Sequence, residues 1–101
     1  MSGYLVVVES EDQAAQVQGL LGEAYQVAAS GTPRLERAAA DADVIFLATP
    51  AGAEGEALAA RLVPALQGWA GRCGHIFRLR LVELSLRALQ TAFRAPVAVG
   101  P

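Results

Sequence analysis

Two short runs constrain this chain more than any other feature. Residues 4–8 read Tyr-Leu-Val-Val-Val, and residues 44–48 read Val-Ile-Phe-Leu-Ala. A strand with one wet face alternates apolar and polar residues; an uninterrupted apolar run suits a strand buried on both faces. Each run leads into a helical pattern. After the first, Ser10 stands three residues before Gln13, the spacing of a capping box, and Glu11 and Asp12 suit the positive end of a helix. Ala14, Val17, Leu20, Leu21 and Ala24 follow at helical spacing, with Gly22 placed to stop the helix. After the second run comes a Gly-bearing segment with Glu54 and Glu56, and then a helix from about Glu54 with Leu58, Leu62 and Leu66 on one stripe. Pro64 inside that stripe is expected to kink the helix or bring its end forward.

The remaining segments repeat the alternation. Residues 25–29 form a short second strand, and Ser30-Gly31-Thr32-Pro33 is a loop. Pro33 suits the first position of a helix over residues 34–40. Residues 68–74 read as a turn that contains Trp69 and Cys73; Trp69 is expected to cap the core, and Cys73 and His75 to be structural or exposed. Residues 75–82 form a fourth strand in which Phe77, Leu79 and Leu81 alternate with Ile76, Arg78 and Arg80. An apolar face opposite an arginine-bearing face predicts a strand at the sheet edge. Ser85 caps a last helix with Ala88, Leu89, Ala92 and Phe93 on its buried side. The pattern predicts an α/β domain over residues 1–94, a Rossmann-like four-stranded, mainly parallel sheet flanked by helices, with a tail over 95–101.

Composition narrows the class. The chain has 101 residues, enough for one domain, and 53% hydrophobic residues, enough for a core without covalent staples. Its single cysteine excludes an internal disulfide and points to a reduced, cytoplasmic protein. No apolar run approaches the roughly 20 residues that span a bilayer, and the N-terminus does not read as a signal peptide. Charge is divided along the chain. Residues 1–60 hold nine acids and two arginines, and residues 61–101 hold six arginines and one acid; no lysine occurs.

Four segments, in order, resemble the Toprim domain of type IA DNA topoisomerases. The run from Tyr4 through Glu9 and Ser10 resembles that family's opening strand, which ends in Val-Glu-Ser-Pro. The run from Leu20 to Gly31 resembles Leu-Gly-x-x-Tyr-x-Val-x-Ala-Ser. The run from Ala42 to Thr49, followed by Glu54-Gly55-Glu56-Ala57, resembles the strand and turn that read Ala-Thr-Asp-Pro-Asp-Arg-Glu-Gly-Glu-Ala. The run from Arg78 to Phe93 resembles Arg-Ile-x-Phe-x-Glu-Ile-Thr-x-x-Ala-Ile-x-x-Ala-Phe. The resemblance implies a catalytic Glu at Glu9 and a magnesium set closed by Glu54. It also shows what has changed. The family's two metal-binding aspartates fall on Pro50 and Gly52, which have no side-chain oxygen. Its next Arg falls on Ala53, its Pro and Lys after Val-Glu-Ser fall on Glu11 and Gln13, and its His falls on Thr32. The long insertion between the second and third strands is missing, and the family's tyrosine-bearing domain lies outside these residues.

The candidate site residues follow. Glu9 is the candidate catalytic carboxylate, retained without a nucleophile to serve. Glu9 with Glu54 or Glu56 is the candidate magnesium set; losing the two aspartates removes most of the coordinating charge, so no resident cofactor is expected and magnesium at most weakly. Arg78, Arg80, Arg87 and Arg94 are the candidate nucleic-acid contacts. The expected function is a degenerate, non-catalytic module that binds DNA or a protein. The alternatives are a residual magnesium-dependent topoisomerase- or nuclease-type activity with a partner chain, and an assembly domain that dimerises through its fourth strand.

Overall fold

The computed structural model describes residues 3–69 and 75–98. Of the turn expected over 68–74, residues 70–74 with Cys73 lie outside them, as do the last three residues of the tail, and residues 68–69 belong to a helix instead. Strands β1 (Tyr4–Val8), β2 (Gln26–Ala29), β3 (Val44–Pro50), β4 (His75–Leu81) and β5 (Val97–Ala98) form one sheet in the order β2-β1-β3-β4-β5. The first four are parallel and β5 is antiparallel to β4. The helices are α1 (Glu11–Leu21), α2 (Pro33–Asp41), α3 (Ala53–Trp69) and α4 (Leu86–Arg94). The chain is thus an α/β domain with a mixed, mostly parallel five-stranded sheet flanked by four helices.

Strand order decides which helix covers which face. The step from β1 to β2 runs one way across the sheet, and the steps from β2 to β3 and from β3 to β4 run the other way. Right-handed crossovers then put α1 on one face and α2 and α3 on the opposite face. The side chains agree. Leu5, Val7, Ile45, Leu47 and Ile76 pack with Leu35, Ala38 and Ala39 of α2 and with Ala59 and Leu66 of α3. Val6, Val8, Ala48, Leu79 and Leu81 pack with Ala14 and Val17 of α1 and with Leu89 of α4. The uninterrupted runs in β1 and β3 are the consequence of being covered twice.

Local signals work as the sequence predicts at both side-chain caps. Ser10 Oγ accepts from the Gln13 amide at 3.3 Å, and Gln13 Oε1 accepts from the Glu9 amide at 3.2 Å. Ser85 Oγ accepts from the Ala88 amide at 3.1 Å. One fastening is unannounced by any pattern. Gln18 Nε2 donates to the carbonyls of Gly22 and Tyr25, both at 2.7 Å, while its Oε1 accepts from the Val27 amide at 3.2 Å. This side chain ties the end of α1 to the edge strand β2.

The structure corrects four expectations. The sheet has five strands, because Val97 and Ala98 pair with Arg78 and Phe77; β4 is therefore not the edge along its whole length. β3 runs on through Thr49 to Pro50, in register with Arg80 and Leu81, where a turn was expected. The buried positions of α3 are Gly55, Ala59 and Leu66, with Leu62 and Val63 half-covered; Leu58 is not in that stripe. The helix also runs through Pro64 to Trp69. Pro64 and Ala60, whose carbonyl loses its helical partner to the ring, both lie on the exposed side of the helix. Trp69 packs half-buried on the α2–α3 core, as expected of a cap.

The turn from β3 into α3 depends on two glycines. Gly52 has φ of 116°, a conformation that L side chains rarely adopt, and its carbonyl accepts from the Glu56 amide at 3.0 Å. At Gly55 a Cβ would run into the backbone carbonyl of Pro50. Gly55→Ala is expected to destabilise the fold by about 2–3 kcal/mol in urea unfolding, since backbone has to move. Gly19→Ala, on an exposed turn of α1 with nothing near the new methyl, is expected to stabilise by about 0.5–1 kcal/mol. Equal effects at the two positions would contradict the packing described.

Candidate functional site

In open parallel sheets the crevice outside the carboxyl ends of the strands, where strand order reverses, is the usual place for a ligand. Here that point lies between β1 and β3. β1 leads into Glu9, whose amide is held by Gln13 and whose carbonyl accepts from Ser30 Oγ at 3.0 Å. β3 ends in Pro50. The Ala51 amide donates to the Leu81 carbonyl at 2.8 Å, which fixes the entry to α3. The crevice itself is a 120 Å³ cavity lined by Val8, Ala48, Pro50, Leu81 and Leu84, with Gln13 and Glu83 as its main polar groups. Its walls are mostly hydrocarbon.

The carboxylates are dispersed. Glu9 and Glu54 are exposed, one at the end of β1 and the other in the first turn of α3. Glu56, two residues on, points to the sheet. Its carboxylate pairs with Arg78 Nη1 and, at 3.2 Å, with Arg80 Nη2. Among the described residues, no three His, Cys, Asp or Glu side chains gather in a group that could hold a metal ion. The site residues that do come together are Glu56, Arg78 and Arg80.

Arg78 is the centre of that group. It is 5% exposed, in the middle of β4, and its Nε donates to Thr49 Oγ1 on β3 at 2.9 Å. Thr49 is buried too. Burial, reinforced by the charge of Arg80, pushes the Arg78 guanidinium below its ordinary pKa. Its Nη2 is buried and has no hydrogen-bond partner among the described residues. Arg78 was expected on an exposed face for nucleic acid; the structure puts it under α3. Arg80, two residues along the same face, is half-exposed, and Arg87 and Arg94 are exposed on α4. Thr49 escapes the sequence reading, which ends the strand at Ala48. A polar residue closing an apolar run, with an arginine on the strand beside it, is the signal that could have found it.

A comparison with models of known protein families finds no match, and neither does a comparison with curated proteins. The fold and its strand-end crevice define a Rossmann-like α/β domain.

The Glu56–Arg78 pair is load on the fold as well as a feature of the site. Removing one partner of a buried pair leaves a stranded charge, and the effect is smaller where one partner stays wet. Glu56→Ala is expected to cost about 2–3 kcal/mol in chemical unfolding. Adding Arg78→Met is expected to recover most of that loss, because the stranded cation goes with it. A double variant less stable than Glu56→Ala alone would show that Arg78 stabilises by packing and not through its charge.

Proposed function

We propose that this chain is a degenerate Toprim-like module that works by binding, to DNA or to a protein, and not by catalysis. The observation that carries the reading is the fate of Glu56. Where the resemblance puts a magnesium-binding acidic turn, Pro50 and Gly52 offer no side-chain oxygen, and the carboxylate of Glu56 is engaged by two arginines. A divalent ion recruited here would have Glu9 and Glu54 and little else. The order of the four resembling segments and the parallel sheet they fall on support the Toprim-like part of the reading.

The binding part rests on the arginines of β4 and α4. Arg87 and Arg94 leave exposed guanidiniums on α4, and the half-exposed Arg80 on β4 is shared with Glu56, with Glu83 as the one acid on the described segment that carries them. Arginines so placed suit phosphate, and their contribution falls as salt rises. A specific observation also favours assembly as a second reading: β5 covers only Phe77 and Arg78, so among the described residues the rest of β4's outer edge has no strand beside it.

Fluorescence anisotropy with a labelled duplex and a labelled single strand separates the readings. Binding at low salt is expected to weaken several-fold at moderate salt, and to weaken by about tenfold in Arg87→Ala/Arg94→Ala. No binding at low salt, together with a dimer in sedimentation, would transfer the reading to assembly. Magnesium at millimolar concentration is expected to leave the amide resonances around Glu9 and Glu54 in place. Plasmid nicking or relaxation that is lost in Glu9→Gln would restore the catalytic alternative and end this proposal.

A further inference from the structure

An open sheet has two edges, and β2 forms one of them. The Ser30 amide donates to the Val8 carbonyl at 2.8 Å, so the backbone groups of Gln26 and Ala28 face β1 and those of Tyr25, Val27 and Ala29 face outward. An outward row of amides and carbonyls is a template for another strand, and proteins blunt it with charges, prolines or bulges. Residues 25–29 read Tyr-Gln-Val-Ala-Ala and carry neither a charge nor a proline.

Side chains from neighbouring segments take the place of those devices. Gln18 Nε2 donates to the Tyr25 carbonyl at 2.7 Å, and Gln18 Oε1 accepts from the Val27 amide at 3.2 Å. One residue of a parallel neighbour would make the same two bonds, donating to one carbonyl and accepting from the amide two residues on. Further along, Thr32 Oγ1 donates to the Ala29 carbonyl at 2.8 Å. The bulk of the helices does not fill the edge. A 250 Å³ recess lined by Glu11, Ala14, Ala15, Gln18, Val27 and Arg34 opens beside the strand. Arg34 pairs with Glu11 across it at 3.4 Å, and both side chains are exposed, so this link from α2 to α1 is weak.

We propose that Gln18 closes the β2 edge from within the chain: its amide holds the place of one residue of a further strand and keeps β2 from pairing with β2 of a second copy. Two copies related by a two-fold axis join β2 to β2 antiparallel, and a pairing that spans the strand uses the Val27 amide that Gln18 holds. A third bond, from Gln18 Nε2 to the Gly22 carbonyl at 2.7 Å, anchors the side chain at the end of α1. A strand from outside has to displace bonds already made, so it gains little from making its own. The inference stands apart from the Toprim-like reading and from DNA binding, and it concerns the edge opposite to β5.

The test compares Gln18→Ala with Gln18→Glu in the full chain, by sedimentation equilibrium and by amide NMR with hydrogen exchange. Alanine uncovers both outward groups and suits the helix. Glutamate has the length of glutamine and keeps an acceptor for the Val27 amide, but it loses the donors to Gly22 and Tyr25 and sets a charge on the edge. Gln18→Ala is expected to self-associate at least about tenfold more tightly than the unaltered chain, with concentration-dependent amide shifts at Val27 and Ala29. Gln18→Glu is expected to associate no more than the unaltered chain. In the unaltered chain the Val27 amide is expected to exchange at least about tenfold more slowly than a free amide. The inference is overturned by no gain in association in Gln18→Ala, by an equal gain in Gln18→Glu, which would trace it to a loosened fold, by shifts confined to Arg80 and Val97, or by free exchange at Val27 in the unaltered chain. Should Gln18→Ala fail to fold, Gln18→Asn, one methylene too short to reach β2, takes its place under the same expectations.

Discussion

A guanidinium in the interior of a parallel sheet has to be held, and holding Arg78 organises the central part of this domain. Stripping a cation of water costs several kcal/mol even after relaxation, on the order of what a whole small domain has to spare. The partners come from three elements. Thr49 is supplied by β3, Glu56 by the first turn of α3, and the arginine itself by β4. The pair therefore sets where α3 begins relative to the two strands it covers. Gly55, beside Glu56, lets that turn come down onto the Pro50 carbonyl, and a bulkier residue there would lift the carboxylate off its partner. Gly52, Gly55, Glu56, Thr49 and Arg78 are one local solution, and the segment linking β3 to α3 is read correctly only when they are taken together.

That solution changes what the carboxyl edge can do. A carboxylate serves as a metal ligand when it is free to give its oxygens to the ion, and Glu56 gives both of its oxygens to arginines. The crevice at the reversal of strand order is left with hydrocarbon walls and a small volume. Structure and chemistry compete here for the same side chain, and the pairing that stabilises α3 is bought with the coordinating power of its first turn.

Much of the frame was legible because it rests on signals that act locally. Apolar runs with no alternation gave β1 and β3 as doubly covered strands. Ser10 and Ser85 gave helix starts, and Gly22 and Pro33 gave a stop and a start, each through a backbone requirement that a single residue meets. What escaped depends on distant partners. The alternation in β4 looked like one wet face and one dry face, and the covering of Arg78 by α3 lies outside any window on β4. Val97 and Ala98 are too short a segment for periodicity; they are a strand because Arg78 and Phe77 leave an edge for them. Gln18 looked like any polar residue on a helix, and its three hydrogen bonds exist only once β2 lies beside α1. Phe46 is a further case. It lies at the middle of a ring cluster with Tyr4, Tyr25, Phe77 and Phe93, at centroid separations of 5.0–6.5 Å, gathered from five separate elements and loops.

The division of charge along the sequence becomes a division in space because strand order nearly follows chain order. Only β1 and β2 are exchanged, so the early, acidic segments sit toward the β2 side of the sheet and the late, arginine-bearing ones toward β5. Through residue 43 the chain carries seven acids against two arginines, and over residues 75–98 it carries four arginines against one acid. At 0.1 M salt the field of an exposed charge decays over about 10 Å, a fraction of the 31 Å long axis of the molecule. The two sides are therefore nearly independent at the surface. An anionic partner at α4 meets Arg87 and Arg94 with little penalty from the acids across the sheet, while Glu56 offsets Arg80 on β4, although the net charge of the whole chain is −2. Net charge is the wrong quantity by which to judge what such a domain binds; the charge within one screening length of the contact is the relevant one, and along β4 and α4 it is positive.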